Sequence, residues 1–155
     1  MLLLLTLAAA DPPSDRLPPA TPIPYIQVDT AQVMAPVTAL LSAFAAGDSA
    51  AVLQHVYPDG RVTATGTRST SSGTRSESWR EFAARIGPTF RFDEQVSDPA
   101  IEVDGDVAMV WAPYTVRING KIANCGFDHF DLVRNAVGWK VMNLSFSSRV
   151  TGCGK

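Results

Sequence analysis

The side chains best suited to moving a proton lie close together in the run Cys125-Gly-Phe-Asp-His-Phe-Asp131. An imidazole in a partly apolar cavity titrates near neutrality, which makes His129 the leading candidate for acid–base work. If the run is a β-strand, alternation puts Asp131 on the same side as His129, where it can orient the ring, and Asp128 on the opposite side. The plainer reading of His129 is a hydrogen-bonded structural histidine. Asp128 is a second candidate, because burial would raise its pKa. Its plainer reading is an aspartate at a subunit rim, bonded to a tryptophan N–H or a backbone amide. Tyr57, Trp79, Phe82, Trp111, Tyr114 and Phe127 are candidates for an aromatic pocket lining, although each would be equally at home in a core. Two arginines among serines and threonines, Arg68 and Arg75, could hold an anion at a pocket mouth or simply belong to a solvated loop. His55 falls at the end of a helical stretch, where the helix dipole favours a cation and no catalytic role is required.

Composition narrows the field. A chain of 155 residues suits one domain, and 46% hydrophobic with 18% charged residues is the balance of a packed protein, not a disordered one. With 13 basic against 15 acidic residues, a net charge of -2 supplies no excess to neutralise a phosphate backbone, so nucleic acid is not an expected partner. There is no phosphate loop, dinucleotide fingerprint or nucleophile elbow, and no cofactor is expected. Neither histidine stands at ligand spacing from the cysteines, so no metal site is expected. The chain starts with the uncharged run Met-Leu-Leu-Leu-Leu-Thr-Leu-Ala-Ala-Ala10, which ends in small residues at signal-peptidase spacing but has no basic n-region. Residues 1–10 are read as a signal peptide, too short to remain as a membrane-spanning helix. Residues 11–27 are read as a proline-rich linker and 28–153 as the domain. An exported chain, periplasmic or secreted, follows. Cys125 and Cys153 are its only cysteines, and an even count in an exported chain reads first as one disulfide, with two unpaired thiols as the other reading.

The elements that would position these side chains fall in two groups. Val33, Met34, Val37, Leu40, Leu41 and Phe44 recur at steps of three and four, which predicts a helix from Thr30 to Ala46 ended by Gly47. Asp48 can cap a second short helix through Leu53. A short strand is expected at 61–65 and a mobile loop at 66–77, and Ser78-Trp-Arg-Glu81 has the spacing of a capping box opening a third helix. From Thr89 the period becomes two. Strands are expected over 90–103, with a break at Asp98-Pro99, then at 107–118, 122–134 and 139–150. Helices followed by a meander of strands make an α+β plan.

Asn119-Gly120 is a type I′ hairpin signal, so Ile118 should face Lys121 across a two-residue turn. Carried along both strands, that register puts Trp111 opposite Asp128, Val110 opposite His129, Met109 opposite Phe130 and Tyr114 opposite Cys125. One face would then hold Val110, Ala112, Tyr114, Val116, Phe127, His129, Asp131 and Val133. The other would hold Met109, Trp111, Asp128, Phe130 and Leu132. Both faces are largely apolar, and the second is expected to be covered by a partner sheet, most simply in a homodimer.

Together, Ala-Ala-Gly47-Asp48, Tyr57-Pro-Asp-Gly60, the Trp79 helix, Cys125-Gly-Phe-Asp-His-Phe-Asp-Leu-Val-Arg134, Gly138-Trp-Lys-Val-Met142 and Gly152-Cys153 resemble a nuclear transport factor 2-like protein. The resemblance is to its SnoaL-like and lumazine-binding-like branch of exported bacterial proteins. It implies a cone: a strongly curved antiparallel sheet wrapped over three helices with a pocket between them, usually dimeric. It selects no single chemistry, because this superfamily includes isomerases, cyclases, dehydratases and proteins that only bind. The expectation is therefore an exported protein that binds a small, partly apolar ligand, or alternatively a cofactor-independent isomerase, dehydratase or cyclase using His129 with Asp131, or Asp128.

Overall fold

A computed structural model describes residues 30–68 and 71–154, so the expected signal peptide and the whole expected linker lie outside the described residues. Helix α1 runs Thr30–Ala46 and buries Val33, Val37, Leu40, Leu41 and Phe44, the stripe that its periodicity predicts. Gly47, at φ 69°, ends it: the left-handed conformation lets the chain reverse, and a Cβ here would meet the Gly87 carbonyl oxygen at 2.8 Å. Helix α2, Ser49–His55, opens on Asp48, whose side chain accepts the Ala51 amide. Helix α3, Trp79–Ala83, opens on the complete capping box of Ser78 and Glu81.

The strands are β1 Arg61–Arg68, β2 Ser71–Ser72, β3 Arg75–Ser78, β4 Asp93–Val96, β5 Ala100–Asp104, β6 Val107–Ile118, β7 Lys121–Asn135 and β8 Gly138–Ser148. Their order is β2-β1-β8-β7-β6-β4, with β3 also paired to β1 and β5 to β6. Two expectations change here. Within the expected loop 66–77, residues 66–68 extend β1, and 71–72 and 75–77 pair back with it as β2 and β3. Their polar composition suits a solvated edge. The sheet is also mixed, since β1 runs parallel to β8, with Val62 beside Leu144. The remaining pairs are antiparallel.

The hairpin register holds only for its first two pairs. Ile118 faces Lys121 and Arg117 faces Ile122, but Val116 faces Asn124, so Ala123 is an extra residue in β7. This bulge shifts every later pair by one. Ala112 therefore faces Asp128, Val110 faces Phe130 and Trp111 faces His129. The two predicted faces of β7 are exchanged: Asp128, Phe130 and Leu132 turn inward with Val110, Ala112 and Tyr114, while Phe127, His129 and Asp131 turn outward with Trp111 and Met109.

The inner face packs on the helices. Phe44 contacts Phe82 and Phe92 at ring separations of 5.4 and 5.1 Å, and Trp79 meets Phe82 edge-on at 5.8 Å. Trp79 is fully buried, and its indole Nε1 donates to the Met142 carbonyl at 2.9 Å. At the far end of β7, Cys125 and Cys153 are joined by a disulfide with Cα atoms 5.4 Å apart, tying the C-terminal segment to the sheet. Closing 28 residues of chain should stabilise the fold by about 3 to 4 kcal/mol on the chain-entropy model. Replacing both cysteines by alanine should lower the denaturant midpoint accordingly. An unchanged midpoint would show that the bridge contributes nothing.

Candidate functional site

Between the helices and the concave face of the sheet lies a cavity of about 320 Å³. Phenylalanines 44, 82, 90, 92 and 146 supply most of its apolar wall, with Val62, Val116 and Leu144. One ionisable group lies deep in that wall: Glu94, on β4. Its position follows from alternation, because Phe92, Glu94 and Val96 turn toward the core while Asp93 and Gln95 face solvent. Pairing of Glu94 with Val116 holds the strand against β6.

Behind Glu94 stands Asp128, only 1% exposed. The two carboxyl groups stand within hydrogen-bonding reach of each other, and among the described residues no N–H or O–H donor meets Glu94 Oε1 or Asp128 Oδ2. Two carboxylates cannot meet in this way unless a proton lies between them. Burial pushes the Glu94 carboxyl up to about 7, although the hydrogen bond from Asp128 works in the opposite direction. Asp128 is raised well above its ordinary value, first by burial and then by the Glu94 charge. Because the two groups face each other, the charge of one opposes ionisation of the other. Only Glu94 of the two reaches the cavity surface.

Tyr114 is the neighbour of this pair on β6 and also lines the cavity. Its hydroxyl lies 3.0 Å from the Ser147 carbonyl and 3.1 Å from Asn124 Oδ1, both acceptors for its proton. Burial, reinforced by the Glu94 and Asp128 charges, raises its pKa and keeps it a neutral phenol. Gly126 makes room for this arrangement: a Cβ there would stand 1.9 Å from the Ser147 carbonyl oxygen, so the close approach of β8 requires glycine.

The other candidates fall elsewhere. His129 and Asp131 do pair, Nε2 to Oδ1 at 3.6 Å, but on the outer face with side chains 32% and 43% exposed. The bulge puts them outside the cavity. Trp111 and Phe127 stack at 5.4 Å on that same outer face and do not line the pocket. Trp79 is a core residue, and Tyr57 accepts a hydrogen bond from Asn135 Nδ2 away from the cavity. Of the expected lining residues, Phe82 and Tyr114 remain. Burial, then the Lys140 charge, lowers the pKa of His55, which overrides the cation preference expected from the helix dipole. Glu94 carried one legible signal, a carboxylate between Phe92 and Val96 on the inward phase of an alternating strand. Among the described residues no group of His, Cys, Asp and Glu side chains could hold a metal ion.

Glu94 also makes a stability prediction. Its folded pKa lies above its ordinary value of 4.5, so its contribution is complete below that pH and is lost as pH rises through about 7. Melting temperatures of the wild type and Glu94→Gln should therefore diverge across this window, with the wild type losing stability as pH rises and the variant losing less. Parallel curves would show that Glu94 titrates normally.

Residues 33–151 match the SnoaL-like domain family. Among solved structures, an NTF2-like protein with a cystatin-like fold from Novosphingobium aromaticivorans superposes with a TM-score of 0.63 at 18% identity, covering 80% of this chain and 83% of its own. A candidate dehydratase of the NTF2-like family from Streptomyces avermitilis gives 0.62 at 18% identity, covering 79% and 97%. A cystatin-like protein of unknown function from Nostoc punctiforme gives 0.63 at 14%, covering 79% and 92%. At these identities the likeness is one of fold. No curated protein matches the chain in sequence. A sheet closing a cavity against three helices, the fold of these NTF2-like and cystatin-like structures, and a family match that spans most of the domain agree: the chain belongs to the SnoaL-like domain family.

Proposed function

We propose that this protein is a cofactor-independent proton-transfer enzyme acting on a small ring-containing molecule, with Glu94 as its general base. The observation that carries this reading is a carboxyl in the apolar cavity wall set against a second, fully buried carboxyl. A base works best when its pKa lies near the working pH, and here burial supplies that match. Ionised Glu94 removes a proton from the carbon next to a substrate carbonyl, leaving an enolate. The protonated base then returns that proton to another carbon, which isomerises the substrate, or to a departing hydroxide, which leaves as water. Asp128 keeps its own proton throughout and donates a hydrogen bond to ionised Glu94. The apolar walls exclude water and hold the ring. The candidate dehydratase from Streptomyces avermitilis is consistent with this class of chemistry on the fold.

The test uses proton exchange in D2O, followed by NMR, on small cyclic ketones and β-hydroxy ketones. The protein should accelerate exchange or elimination for some of them, with kcat/KM rising to a plateau above about pH 7. Glu94→Gln should cost about 10²- to 10⁴-fold. Asp128→Leu removes the hydrogen bond that holds Glu94 down, so the rising limb should move to higher pH. Unchanged turnover in Glu94→Gln would defeat the assignment. Tight binding of these ketones with no exchange at all would favour the simpler reading, a small-molecule-binding protein.

Two further parts of the reading concern where and how the protein works. Export fits the Cys125–Cys153 disulfide, since such bonds persist in oxidising compartments. Homodimerisation fits the outer sheet face, where Trp111 is 46% and Phe127 36% exposed as a stacked pair beside His129. Light scattering should give a dimer mass for the wild type and a monomer mass for Trp111→Glu. A wild-type monomer at every concentration would remove the dimer.

A further inference from the structure

Although the interior of the cavity is aromatic, its rim is not. Arg68, Arg75, Arg85 and Arg91 all line it, and the carboxylates among the lining residues are Glu77 and Glu94. Glu77 alone serves two of the arginines: Arg75 Nη2 lies 3.2 Å from Glu77 Oε2, and Arg85 Nη2 bonds Glu77 Oε1. Arg91 has no carboxylate partner among the described residues. Arg75 and Arg85 keep side-chain exposures of 58% and 37%, which places them where the cavity opens to solvent. They also line a second, open hollow on the outer side, with Arg61 and Glu81.

Arg85 is held on several sides. Its guanidinium stands 5.2 Å over the Phe82 ring and 5.3 Å over the Phe90 ring, both in the cavity wall. Stacking on two rings and pairing with Glu77 hold the planar fork in place before any ligand arrives, so little rotamer freedom is lost when it binds one. The rim therefore carries net positive charge directly above an apolar chamber.

We propose that the mouth selects substrates with two parts: an apolar ring body that enters the cavity, and an anionic oxygen head, carboxylate or phosphate, that stays at the rim on Arg85 and Arg91. A guanidinium fork matches either head through paired N–H donors. The chamber volume is near the lower end of the ~300–1,000 Å³ usual for ligand sites, which suits one or two rings rather than a larger skeleton. The inference rests on this cavity being the reactive site, but its test does not depend on reaction.

Three unreactive probes of one shape separate the possibilities: 2-naphthoate, 2-naphthyl phosphate and neutral 2-naphthamide, titrated calorimetrically. At least one anion should bind about tenfold or more tightly than the amide, with the preference shrinking as salt is raised. Which anion leads distinguishes a carboxylate from a phosphate head. Arg85→Gln should reduce the preference severalfold. Because that change also removes packing on Phe82 and Phe90, Arg91→Gln is the second variant; it should weaken the anions severalfold more than the amide. Equal affinity for all three probes, a preference untouched by both variants, or no binding up to millimolar concentration would each overturn the proposal. Loss of the anion preference would leave Glu94 chemistry standing, whereas normal turnover in Glu94→Gln would leave the selective mouth standing.

Discussion

Two carboxyl groups facing each other in an apolar interior constrain everything around them. Each loses hydration on burial, and in a low dielectric neither can be ionised cheaply beside the other's charge. A shared proton resolves the conflict, and among the described residues there is little else: Glu94 Oε1 and Asp128 Oδ2 have no fixed donor, and Tyr114 directs its own proton to Ser147 or Asn124. An arrangement this unfavourable to stability would be displaced by apolar residues of similar volume if packing were the only demand. Its position at the wall of the cavity, with Glu94 in front and Asp128 behind, gives it a use that packing does not.

The pair exists because of backbone geometry set at some distance from it. The extra residue in β7, Ala123, exchanges the faces of every residue that follows, so Asp128 turns in and His129 turns out. Curvature also matters. β4 and β5 both pair with β6, interrupted at Ser97–Pro99, where Asp98 takes a φ of 43° and the Ser97 amide bonds Pro113. That break bends β4 toward α1, bringing Glu94 over Asp128 and Phe92 against Phe44. A straight continuous strand would pair with β6 equally well but would not fold over the cavity.

Signals that act within a few residues were legible in the amino-acid sequence. The Ser78–Glu81 capping box, the Asp48 cap, the Gly47 helix end and the Asn119-Gly120 turn each depend on contacts no more than four residues apart, and each occurs as expected. What failed depended on partners far away. The parallel match of β1 with β8 joins residues such as Val62 and Leu144, and nothing local to either announces the other. The polar strands β2 and β3 lack apolar alternation because they lie at the sheet's edge, where backbone pairing needs no buried side chain. The bulge at Ala123 was invisible for the same reason, and one residue was enough to put His129 and Asp131 in the wrong environment.

The exchange of faces separates two kinds of surface that the sequence interleaves residue by residue. Along β7, alternate side chains serve the cavity and the outer face: Asp128 belongs to the first, Phe127 and His129 to the second. A substitution at one of these positions therefore acts on one surface with little effect on the other, since their side chains lie on opposite sides of the sheet. The outer pair of His129 and Asp131, half in solvent, is screened and weakly coupled. The inner pair, two carboxyl groups in an apolar wall, has little water to screen it, so each acts strongly on the other. Depth in the sheet, more than residue type, is what distinguishes the chemical pair from the ordinary one.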